Sequence, residues 1–178
     1  MIPKHLFRAG VVTLGFCLTM LAACDRTPRA TASPTPEAQA QQAQRALAAG
    51  QRAYAQTDFA TAFERFREAA LEGNANAQYY LGVMYADGQG TQTNFAEAAR
   101  WYEKAAAQNQ PDALYKLARL YAIGLGVNVD GKRAIELYAR AAAAYPPGQE
   151  RDAAEQQRAA LAAAVKSGAP APEHPPPN

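Results

Sequence analysis

The chain has 178 residues, 49% hydrophobic and 19% charged, with a formal net charge of +2. That length allows one domain with a proper core. Lys4 and Arg8 account for the excess charge, leaving 16 basic and 16 acidic side chains interspersed over the rest. No cationic block or stripe exists to displace counterions from phosphates, which argues against a nucleic-acid partner.

Residues 1–23 read as an export signal. Lys4 and Arg8 stand without an acid, and Ala9 to Ala22 is an apolar run. About 14 apolar residues are too few to cross a hydrocarbon core of roughly 30 Å, but they suit the centre of a signal peptide. The run closes on Leu21-Ala22-Ala23-Cys24, which resembles the lipobox of bacterial lipoproteins. The resemblance implies a diacylglycerated Cys24, removal of the leader before it, and an acylated new N-terminus. At about 0.8 kcal/mol per buried CH₂, two or more chains turn reversible membrane binding into stable anchoring. The alternative is an ordinary secretory leader that leaves Cys24 as a free thiol. Asp25 resembles the residue that retains lipoproteins in the inner membrane of enteric bacteria, and so tilts the anchor toward that membrane. Cys17 leaves with the leader and Cys24 is taken by lipid, so no disulfide framework remains. Residues 24–36, with three prolines, read as an extended tether or a proline-rich docking ligand.

From Glu37 to Ser167 alanine is abundant and β-branched residues are sparse. Alanine has the best helix propensity and β-branched residues fit strands better, so the expected fold is all-α. Residues 37–73 form a first hairpin marked by Gly50, Tyr54, Ala62, Phe66 and Ala69, with Asp58 capping its second helix. Residues 74–109 and 110–145 are one unit written twice, offset by 36 positions; Tyr79/Tyr115, Leu81/Leu117, Gly90/Gly126 and Tyr102/Tyr138 are among the matched pairs. A fixed period of this length means stacked helical hairpins. Ala77, Leu81, Met84 and Tyr85 make one helical stripe, and Ala98, Trp101, Tyr102, Ala105 and Ala106 make the next. In the third unit Leu117, Leu120 and Tyr121, then Ala134, Ile135, Tyr138, Ala141 and Ala142, restate them. Asn94 with Glu97 reads as a capping box, Asp130 as an N-cap, and Gly88 and Gly90 as left-handed turns. After the Tyr145-Pro146-Pro147-Gly148 break, residues 146–166 hold a capping helix from Asp152 to Lys166, with Ala153, Ala154, Gln157, Leu161 and Val165 inward. Residues 167–178, with five prolines, form a tail without a core. Three hairpins and a cap make seven helices.

Leu81-Gly82-x-x-Tyr85-x-x-Gly88-x-Gly90 followed by Ala98-x-x-Trp101-Tyr102-x-Lys104-Ala105-Ala106 resembles the Sel1-like repeat family. The third unit departs from it, with Ala118 for the glycine and Leu137 for the tryptophan. The first hairpin resembles the related tetratricopeptide repeat, and its loop is four residues shorter. Together these resemblances imply a right-handed α-solenoid.

The body between the two ends contains no histidine, cysteine or serine that could assemble a Ser–His, Cys–His or imidazole–thiolate zinc site. No cofactor and no metal are expected. An Asp87/Asp112 carboxylate pair is the remaining catalytic possibility, set against a loop residue and a helix-start charge. Arg100, Glu103, Lys104, Arg140, Arg151 and Asp152 read as solvated faces. By resemblance the first helix of each hairpin lines a groove through Gln44, Gln51, Tyr54, Asn76, Tyr79, Val83, Asp87, Asp112, Tyr115 and Arg119. Tyrosine and amide side chains suit an extended peptide, although the tyrosines could instead pack between hairpins. The expected function is that of a lipid-anchored adaptor on the periplasmic face of a membrane, holding a protein or peptide partner in an envelope complex. A binding module for a cell-wall fragment is the alternative, and a carboxylate hydrolase the third reading.

Overall fold

The computed structural model describes residues 35–168. The leader, Cys24, Asp25, nearly all of the tether and the tail beyond 168 lie outside them. The described residues fold into seven helices: α1 (Pro36–Ala55), α2 (Phe59–Leu71), α3 (Ala75–Asp87), α4 (Phe95–Ala107), α5 (Pro111–Ile123), α6 (Gly131–Ala144) and α7 (Gln149–Ser167). Each of the pairs α1/α2, α3/α4 and α5/α6 is a hairpin; α2 packs on α3, α4 on α5, and α7 on α6. The all-helical, paired-hairpin expectation holds.

Local chemistry explains the boundaries. The side chains of Thr35, Asp58, Asn74, Asn94, Gln110 and Asp130 each accept from a backbone N–H three residues on, at the start of α1 to α6. Pro36 lies in the first turn of α1 and Pro111 in that of α5, where a missing N–H costs nothing. Pro36 is therefore helical and not part of the tether. Gly88 and Gly124 end α3 and α5 in the left-handed conformation. Half of the expected capping box forms: Asn94 Oδ1 caps the Glu97 N–H, while Glu97 turns to Arg100 at 2.7 Å. An arginine within reach outcompetes the neutral backbone N–H, because an ion pair is the stronger acceptor interaction.

The interior is mostly alanine and leucine, with one fully buried large aromatic per hairpin. Phe66, Tyr102 and Tyr138 are buried, 36 positions apart, and Leu81 and Leu117 are 0% and 2% exposed. Burying each leucine contributes about 1.5–3 kcal/mol. Gly50 and Gly82 lie against the rings of Phe66 and Tyr102, where an added Cβ would overlap them. In the third hairpin Ala118 fills the equivalent place and remains buried. There the ring geometry changes: Tyr115 meets Tyr138 edge-on at 71°, whereas Tyr79 meets Tyr102 at 32°. Trp101, Tyr85 and Ile135, expected inside, are only half-buried. Trp101 keeps one face outward, and the Lys104 ammonium sits 3.7 Å from its ring centre. α7 begins at Gln149, three residues ahead of the expected start, and buries Ala154 and Leu161 but leaves Val165 44% exposed.

Candidate functional site

The first helix of each hairpin, α1, α3 and α5, presents a stripe that the second helices do not cover. Matched positions are 36 apart between α3 and α5, and 32 apart across the shorter first turn, so Gln44, Asn76 and Asp112 share one level. Gln51, Val83 and Arg119 share another, two turns along. Gln44, Gln51, Asn76 and Asp87 are exposed; Tyr79, Val83, Asp112, Tyr115 and Arg119 are half-buried.

Tyr54 is placed differently. The same count puts it level with Ala86 and the buried Ala122, on the face turned toward the next hairpin. Its ring packs against Phe59 and Tyr80, at 5.4 and 6.4 Å between centroids, and its hydroxyl donates to Gln89 Oε1 at 2.8 Å. It joins two hairpins and offers little to a ligand.

Tyr79 and Tyr115 do stand in equivalent places. Tyr79 touches Tyr80 and Tyr102, and Tyr115 touches Tyr138, so each packs on a core aromatic while keeping part of its ring outside. The Tyr79 hydroxyl is pushed up to about 12, by burial first and then by the negative charge of Asp112. Burial likewise raises the phenols of Tyr102 and Tyr138, and the positive charge of Arg119 partly offsets both rises. The guanidinium is thus within electrostatic reach of both hydroxyls.

Asp112 is already committed. Its Oδ1 accepts from the Tyr145 hydroxyl at 2.7 Å and its Oδ2 from Gln110 Nε2 at 3.1 Å. Tyr145 is raised by burial and by this bond to a carboxylate. Sequence reasoning read Tyr145 only as part of a break, because nothing local signals a contact 33 positions away. Asp87 is exposed, and among the described residues no hydrogen bond joins it to Asp112. Among the described residues no group of three or more His, Cys, Asp or Glu could hold a metal ion, and no helix is long and apolar enough to cross a membrane.

Three side chains expected on solvated faces have structural partners instead. Arg140 donates to the Ala106 carbonyl at 2.8 Å and Arg151 to that of Ala142 at 3.1 Å, satisfying the open ends of α4 and α6. Glu103 accepts from the Tyr121 hydroxyl at 2.8 Å. Buried Gln78 also escaped notice: it donates to Ala70 O and accepts from Gln108, which in turn donates to Gly73 O. These amides stitch consecutive hairpins at their linkers.

The loops settle what kind of hairpin this is. Residues 88–94 and 124–130 each span seven positions with two left-handed glycines, against three positions, 56–58, in the first turn. The Sel1 repeat family matches residues 75–110 and 111–145. These two hairpins are similar to the Sel1 repeat. A solved Sel1 repeat protein from Oxalobacter formigenes is 30% identical, with a TM-score of 0.64 over 76% of this chain and 53% of that one. A protective antigen of uropathogenic Escherichia coli displaying an SLR fold is 29% identical, with a TM-score of 0.53 over 76% of this chain and 27% of that one. The chain therefore spans about half, or less, of the length of these structures. Among curated proteins none matches. Sel1 repeats are generally non-catalytic and associated with protein–protein interaction.

Proposed function

We propose that the protein is a lipid-anchored adaptor of the bacterial cell envelope, tethered through Cys24 on the periplasmic face of a membrane. It holds an extended stretch of a partner protein against the open stripes of α1, α3 and α5. The observation that carries this reading is the repeated placement of Tyr79 and Tyr115, each anchored on a buried aromatic and half-open to solvent. A rigid aromatic with a polar tip gives a peptide both flat apolar contact and a hydrogen bond at little entropic cost. The exposed amides of Gln44, Gln51 and Asn76 can serve an extended backbone beside them. A lipid anchor would add effective concentration for any partner in the same membrane.

Two measurements test it. Wild type should incorporate labelled palmitate and Cys24→Ser should not; no incorporation into wild type would remove the lipid anchor from the reading. Tyr79→Ala combined with Tyr115→Ala should keep helical content yet lose the partner captured by in-cell crosslinking. Unchanged crosslinked partners would remove the open face from the reading. A muropeptide that raises the melting temperature, with no crosslinked protein, would favour the wall-fragment alternative.

A further inference from the structure

Two buried side-chain polar atoms lack a hydrogen-bond partner among the described residues: Arg119 Nε and the Tyr138 hydroxyl. Both belong to the third hairpin, and the guanidinium acts electrostatically on Tyr138 and Tyr102 alike. Buried polar groups normally find partners, so such a pair asks for an explanation. The contrast with other arginines is sharp. Arg65, Arg67, Arg100, Arg133 and Arg158 each form an ion pair, and Arg140 and Arg151 donate to backbone carbonyls, whereas half-buried Arg119 has neither kind of partner among the described residues. A half-buried cation without a counter-ion is a net burden on stability. The fold does not require it, because Val83 occupies the matching position one repeat earlier.

We propose that Arg119 receives the carboxylate of an acidic side chain carried by an extended segment of the partner protein. This rests on the peptide-binding reading above. The buried Nε fixes the guanidinium near Tyr102 and Tyr138, and its two Nη groups can take a carboxylate end-on in bidentate fashion. The acid is internal to the segment and not a chain terminus. α5 packs between α4 and α6, with α7 following on α6, so it is not the end of the stack and a bound strand can run past it in both directions. Charge complementarity also restricts the neighbours. Exposed Asp87 and half-buried Asp112 lie on the same stripes, and they disfavour a second acid while welcoming Lys or Arg. The recognised pattern is one Asp or Glu flanked by basic or neutral residues.

The test is a selection of randomised nine-residue peptides, with free and with amidated C-termini, on the full chain in detergent and on its Arg119→Val and Arg119→Lys variants. Wild type should enrich one acidic position with basic flanks, independent of amidation. Arg119→Val should bind the selected peptides about tenfold more weakly or worse, lose the preference for acid over amide, and melt no lower than wild type. Arg119→Lys should keep part of the affinity. If peptides are enriched but Arg119→Val prefers the same acids, Arg119 is not the anchor and the open-face reading stands. A requirement for a free C-terminus would overturn the internal-acid assignment. An Arg119→Val protein melting well below wild type would make the charge structural and end the proposal. No enriched peptide at all would remove the peptide-binding reading, and this inference with it.

Discussion

The first hairpin and the two Sel1-like hairpins reverse the chain by different means. α1 turns into α2 over residues 56–58 with Thr57 at φ 59°, whereas α3 and α5 use residues 88–94 and 124–130. The longer loops reach back to the preceding hairpin. Gly90 lies against Phe59 and Phe63, and Gly126 against Phe95 and Ala96, each so close to backbone that a Cβ would overlap it. The loop extension is therefore a joint between hairpins more than a reversal of one chain. No earlier hairpin precedes α1 among the described residues, so an extension there would have nothing to seat on. At the other end Gly131 holds the position of Phe59 and Phe95, and Val165 from α7 lies against it. The cap replaces the joint with a side chain, which is one way a stack of repeats can stop.

The largest expected effect tests the joint directly. Gly126→Ala combines left-handed strain with overlap against Phe95, and should cost about 3 kcal/mol, lowering the melting temperature by roughly 10 °C. Gly73 has φ 87° with nothing within 4 Å of an added Cβ, so Gly73→Ala should cost only about 1 kcal/mol. Equal losses for the two would mean that the seat contributes nothing. Next in size, Thr57→Gly should raise stability by about 1 kcal/mol by relieving a β-branched residue at positive φ. A denaturant midpoint that moves down would show that the short first turn is not strained. Gly82→Ala is the smaller companion. Ala118 demonstrates that the third hairpin accommodates a methyl, so Tyr102 should retreat at a net cost under about 1 kcal/mol once helix propensity is credited.

The smallest effect is a matter of pH. Folding raises the Tyr79 hydroxyl from its ordinary 10 to about 12, chiefly by burial. The neutral phenol is the favoured form, so this contribution is fully present below pH 10 and is lost as the pH rises toward 12. Between pH 9 and pH 11 wild type should lose slightly more melting temperature than Tyr79→Phe. Identical losses would mean that the phenol titrates alike in the folded and unfolded chain.

Helix type, number and order were legible because they depend on local rules. Caps such as Asp58, Asn94 and Asp130 act within three residues, and the alanine–leucine stripes recur at helical spacing. The 36-residue period likewise announced the hairpins before any packing was known. What the period could not supply was which side chains of a first helix face the neighbouring hairpin. Tyr54 was assigned to the open face although it belongs to the junction with the next hairpin, where Gln89 accepts from its hydroxyl and Tyr80 packs on its ring. The bond of Tyr145 to Asp112, the carbonyl partners of Arg140 and Arg151, and the isolation of Arg119 are contacts between segments. Whether a polar side chain is paired depends on which backbone or hydroxyl another helix brings near it. That is a property of the packed stack, whereas helicity and repeat length are carried by each residue and its near neighbours along the chain.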